Sequence, residues 1–196
     1  ILSEKPIADT LEAAVRIANK VARAGVKMGV TMSHRFRQDI TTLRTLIRSG
    51  DYGPLDYLVS RFTCENRTYG TWGAFRYEIA DPLMVEGAVH HLDLLADMAG
   101  GRCATLYAQT WQPPWGEFRG DAQALVTLQT EAGARVLYEG AKTNAVGLNS
   151  WGAEYIRAEC ERATLILSHG RIERFDYDPA RRQPDSAGCD ETGLVG

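Results

Sequence analysis

The chain has 196 residues, 44% hydrophobic and 24% charged, a balance typical of a water-soluble globular protein with a real core. With 22 Lys+Arg against 25 Asp+Glu, a formal net charge of -3 and no basic block, nucleic acid is excluded as the expected partner. No stretch approaches the roughly 20 apolar residues that cross a bilayer, and no secretory signal opens the chain, so a cytoplasmic protein without a membrane partner is expected.

Ile1-Leu-Ser-Glu-Lys-Pro6 runs from apolar to polar like the exit of a strand, and its start on Ile rather than Met reads as a truncation. Asp9 with Glu12 three residues later forms an N-cap signal. Leu11, Ala14, Val15, Ala18, Val21 and Ala22 then recur at helical spacing until Gly25, which predicts a helix over 9–24. Alternation from Val26 to Met32 predicts a strand. Strand, loop, helix and strand together form an α/β signature.

Asp39 is read as the cap of a second helix carrying Ile40, Leu43, Leu46 and Ile47, which Gly50-Asp-Tyr-Gly53-Pro54 stops. A junction between two units falls near 31–36. Beyond Pro54, strands are expected over 55–64, 104–111, 122–130, 134–142 and 155–168, interrupted by one helix over 83–99. The expected fold is α+β: an open, mainly antiparallel sheet with helices on one face, preceded by the last α/β segment of a truncated Rossmann domain. The corresponding units are 1–33, 34–176 and a tail, 177–196, to which no structure is assigned. No G-x-G occurs, so the phosphate-cradling turn of a dinucleotide fold is missing from the sequence. Cys64, Cys103, Cys160 and Cys189 are scattered without a C-x-x-C pair and read as buried reduced thiols.

At 100° per residue, Glu86, His90, Asp93 and Asp97 fall within about 60° of one another on the helix over 83–99. An apolar stripe of Val85, Val89, Leu92, Leu95, Ala96 and Ala99 lies beside them, with His91 pointing elsewhere. A carboxylate one turn before a histidine can orient the ring and stabilise its imidazolium, which gives Glu86 and His90 a meaning as an acid/base pair. Spacing alone fits ordinary i,i+4 surface pairs slightly better. A metal ion on Glu86, His90 and Asp93 is a third reading, weaker for want of a fourth ligand, and no metal is expected.

Three stretches together resemble the Gfo/Idh/MocA family, that of glucose-fructose oxidoreductase and inositol dehydrogenase. Ser3-Glu4-Lys5-Pro6 resembles its E-K-P motif. Ser33-His34-Arg35-Phe36 resembles the crossing into the substrate domain, with His34 departing from the usual Asn or Tyr. Glu86-Gly-Ala-Val-His90-His-Leu-Asp93 is similar to its D-x-x-x-H-x-x-D element, with Glu86 where Asp is usual. The resemblance covers residues 1 to about 175 and implies NAD or NADP as cofactor. The implied reaction is hydride transfer to or from a carbinol carbon of a sugar, inositol or related polyol. It makes Lys5 the contact to the nicotinamide ribose and reacting hydroxyl, His90 the general acid/base and Glu86 its partner, with Glu4, Lys5 and Pro6 at the cofactor. Pro6 suits a cis bond. Substrate contacts are sought in Arg35, Arg76, Tyr77, Asp93, Trp151 and Tyr155, aromatic and polar groups suited to polyols and sugar acids. The expected assembly is a homodimer or homotetramer through the sheet. The alternative is a catalytically inactive binding or oligomerisation module of the same fold.

Overall fold

The structure, a computed structural model, describes residues 1–180. Strands β1 (Leu2–Ser3) and β2 (Gly29–Val30) pair in parallel around helix α1 (Leu11–Ala24). Thr10 rather than Asp9 caps α1, its Oγ1 accepting from Ala13 N at 3.2 Å, and Gly25 closes it at φ 64°. The strand expected over 26–32 is only two residues long, and among the described residues it pairs only with β1, itself two residues long. No residue of α1 is buried, and Leu11 is 75% exposed. The apolar stripe of this helix therefore has no cover among the described residues.

A 3-10 turn (Ser33–Phe36) leads into α2 (Gln38–Arg48). Arg37 occupies the cap position that the sequence suggested for Asp39, while Asp39 sits in the first turn, accepts from Ile40 N and pairs with Arg37 at 2.5 Å. Ile40, Leu43 and Ile47 are buried, as their spacing implies.

The rest builds a seven-stranded sheet from β3 (Leu55–Thr63), β4 (Cys103–Trp111), β5 (Gln123–Thr130), β6 (Arg135–Ala141), β7 (Tyr155–Cys160), β8 (Ala163–Ser168) and β9 (Arg171–Asp176). Their order is β4-β5-β6-β3-β7-β8-β9, and every pairing is antiparallel except β3 with β6. The mainly antiparallel α+β fold is thus the one expected. The strand expected over 155–168 is a hairpin that breaks at Glu161-Arg162, and β9 was not anticipated. Period-2 alternation puts Leu58, Phe62, Val126, Tyr138, Ile156 and Leu165 in one core under the helices. The outer face keeps Tyr107, Leu125 and Leu137 exposed.

The helix expected over 83–99 is two segments, a π-helical turn (Pro82–Ala88) that runs into α4 (Val89–Met98). A short helix, α3 (Phe75–Glu78), precedes it unanticipated. The π turn spends an extra residue per turn and rotates everything after it. Leu83, Glu86, Gly87, His90, His91, Leu94, Leu95 and Met98 are consequently buried, whereas Val85, Val89, Leu92 and Ala96 of the expected apolar stripe are half-buried.

Of the cysteines, Cys64 is buried, Cys160 half-buried and Cys103 exposed on the edge strand β4, all three free. Universal burial therefore fails, and Cys189 lies outside the described residues, as does the tail beyond residue 180. No described helix is long and apolar enough to cross a membrane.

Candidate functional site

Glu86 is the hub where the N-terminal segment meets the sheet. The Lys5–Pro6 bond is cis, and Lys5 Nζ donates to the Glu86 backbone carbonyl at 2.8 Å and to Oε1 at 2.9 Å. Arg76 Nε donates to the same Oε1 at 3.1 Å. From β6's end, the fully enclosed Lys142 donates to Glu86 Oε2 at 3.3 Å and to the Pro82 carbonyl at 2.6 Å, its Nζ 3.9 Å from the centre of the Trp72 ring. A Cβ on Gly87 would lie 3.2 Å from Lys142 Cε, so glycine here leaves room for the lysine stem.

Burial alone would raise the Glu86 carboxyl, but the Lys5 hydrogen bond and the charges of Lys142 and Lys5 hold it below its ordinary value. Burial pushes Lys142 the other way, from 10.5 down to about 8, against the pull of Glu86 and Cys64. Below pH 8 both folded and unfolded chains keep this proton. Above it only the unfolded chain does, so stability rises with pH. Between pH 8 and 9 the gain is about 1 kcal/mol. Urea unfolding at the two pH values is expected to show it in the wild type and not in Lys142→Met; equal slopes would refute it.

Glu86 makes no hydrogen bond or ion pair with His90, contrary to the pairing read from their spacing. Three cations claim the carboxylate, and the π turn breaks the simple i,i+4 geometry. His90 instead stacks on His34, ring centres 4.4 Å apart, with Trp151 edge-on at 5.8 Å. Its Nδ1 is buried without a hydrogen-bond partner. Burial first, then the nearby His34, Lys5 and His91, lowers its pKa to about 4, so the ring is neutral near pH 7. Glu86 is the weakest influence on it.

The remaining candidates divide. Arg35 and Asp93 grip each other through Arg35 Nε to Oδ2 and Nη2 to Oδ1, the latter at 2.7 Å, which occupies both and withdraws Asp93 from any ion shared with Glu86. Arg76 belongs to the Glu86 hub. Tyr77 is a core residue, stacked on Phe118 at 4.1 Å with its hydroxyl donating to the Asn66 carbonyl, because α3 turns it inward. Trp151 packs against His34, His90 and His91. Tyr155 lies opposite Arg61 in the sheet register, whose guanidinium covers its ring at 5.4 Å, away from this cluster. Glu4 is exposed, while Pro6, Thr10, Phe75, Asp81, Val85 and Glu86 line a cleft of about 460 Å³.

Sequence reasoning missed Lys142, His34, Arg37 and Glu154 as site residues. Lys142 had a signal: it continues the buried parity of Val136, Tyr138 and Gly140, where a charge has no place without a partner. Glu154, in a loop before β7, had none.

Residues 40–173 match the family model of the GFO/IDH/MocA C-terminal domain, and the chain belongs to that family. It is 51% identical over 181 residues to the protein y4oX of Sinorhizobium fredii, covering 92% of this chain and 50% of that one. It is 29% identical over 170 residues to the 1-carboxy-3-chloro-3,4-dihydroxycyclohexa-1,5-diene dehydrogenase of Comamonas testosteroni, covering 83% of this chain and 42% of that one. In structure it is similar to an oxidoreductase from Agrobacterium radiobacter solved with NAD+, L-tartaric acid and magnesium: TM-score 0.80, 19% identity, 89% of this chain and 51% of that one. The chain thus spans about half the length of the curated relatives it matches.

Proposed function

We propose that this chain is the substrate-side part of an NAD(P)-dependent oxidoreductase acting on a carbinol or carbonyl carbon of a sugar, inositol or related polyol. Residues 1–33 are then the last segment of its dinucleotide-binding domain. The observation that carries the reading is Lys5, anchored on Glu86 beside a neutral His90. The family membership and the dehydrogenase among the relatives support it.

The residues present fit the nicotinamide end of the cofactor: the Glu4-Lys5-Pro6 loop follows a parallel strand and borders the cleft at Pro6 and Glu86. When bound, the nicotinamide supplies the hydride acceptor or donor. The chain's own residues handle the proton. A neutral His90 accepts it from the substrate hydroxyl, and the Lys5 ammonium stabilises the oxygen as its charge grows. Glu86 positions Lys5 rather than His90. Lys5 and Arg76, both partly exposed, outnumber the Glu86 carboxylate, which favours an acid-bearing substrate. The exposed Tyr107, Leu125 and Leu137 of the sheet support assembly into a homodimer or homotetramer through that face.

The test is nicotinamide absorbance in the full-length protein, with NAD and NADP, against polyols, sugars and sugar acids. Lys5→Met is expected to lower kcat/KM roughly 10–100-fold through loss of one charged hydrogen bond. Binding of such compounds without any turnover would instead support the inactive binding module.

A further inference from the structure

Behind His90 lies a second cluster that the redox reading does not use. His34 Nδ1, from the 3-10 turn, and His91 Nε2, from α4, each lie 3.8 Å from Glu154 Oε1, from the loop before β7. All three ligand atoms fall within 4.8 Å of one another. Each is enclosed, and each lacks a hydrogen-bond partner. The side chains of His91 and Glu154 are only 1% and 3% exposed. Three unpaired polar atoms aimed at one point from three separate elements are costly unless something occupies that point.

We propose that His34 Nδ1, His91 Nε2 and Glu154 Oε1 form a binding site for one divalent transition-metal ion of zinc type. Two imidazoles and a carboxylate are the donor set such an ion takes. Ligand atoms about 2.1 Å from a metal stand roughly 3.0–3.4 Å apart, so closing the site needs the ligand atoms to approach one another by roughly half an ångström to one and a half. The surroundings suit the ion. Tyr138 Oη lies 3.2 Å from His91 Nδ1, which fixes the ring while Nε2 faces the centre. Arg37 puts a positive charge on Glu154 Oε2 at 2.7 Å, but Asp39 pairs with that same guanidinium, leaving the cluster one negative charge in excess. The site stands on this geometry alone and is independent of the oxidoreductase reading.

The experiment is titration of the chelator-treated full chain with Co2+, read by visible d–d absorption and by metal retained after gel filtration. One equivalent is expected, displaced by Zn2+, abolished in Glu154→Gln and weakened at least about tenfold in His34→Ala. His34 is the least enclosed ligand, and its variant decides the matter if the buried Glu154→Gln chain does not fold. No retained metal, or binding unchanged in His34→Ala, would overturn the site and leave a buried water as the occupant.

Discussion

Replacing His90 by alanine is expected to lower turnover of the full-length protein by about 10²–10⁴-fold, the usual worth of a positioned general acid/base, with cofactor affinity nearly unchanged. A carbinol carbon releases hydride only as its hydroxyl loses a proton, and the chain brings one neutral imidazole next to the Lys5–Glu86 pair. Its neighbours keep it available: Burial, His34 and Lys5 all disfavour the imidazolium. The effect should appear in kcat, because His90 makes no hydrogen bond that the fold depends on and its removal leaves the Lys5, Arg76 and Lys142 contacts to Glu86 in place. Stopped-flow turnover and nicotinamide binding measured on the same preparations separate the two quantities. Turnover within about threefold of wild type would remove His90 from the chemistry and transfer the proton to Lys5 or a water.

Local signals carried the fold. Alternation over β3, β5 and β6, the Gly25 stop and the Gly50–Pro54 break all correspond to observed elements, since each depends on residues within a few positions of it. The site was less legible. Glu86 and His90 stand four residues apart in sequence, yet the π turn between them and three cations from distant segments redirect the carboxylate. Helical spacing presumes a regular helix, and nothing in Pro82–Ala88 announces otherwise. Tyr77 was misjudged for a related reason: the short helix α3 is too brief for periodicity to reveal which side faces the core. Helical spacing points His91 away from the polar stripe, and it does turn away, toward Glu154, 63 positions along the chain, which no local pattern encodes.

The geometry of the Glu86 hub depends on a close backbone approach at Gly120, and changing it to alanine is expected to cost about 3 kcal/mol or more. A Cβ there would lie 1.7 Å from the Ala80 carbonyl oxygen, 2.4 Å from its carbon and 2.9 Å from Pro82 Cδ. All three are backbone or ring atoms that cannot swing aside. The loop around Gly120 is also pinned on both sides: Arg119 N donates to the Tyr77 carbonyl at 2.8 Å and Lys142 N to the Ala122 carbonyl at 2.9 Å. Relief therefore has to come from Asp81–Pro82, where the π turn that carries Glu86 begins. Gly25→Ala supplies the contrast, since its Cβ would meet nothing within 4 Å and only the positive φ of 64° opposes it. That variant should lose about 1 kcal/mol. Urea unfolding of the two variants measures the difference directly. Equal losses would mean that the Ala80–Pro82 segment yields freely and does not hold Glu86 in place; a Gly120→Ala chain that also loses turnover beyond its loss of stability would tie that segment to Lys5.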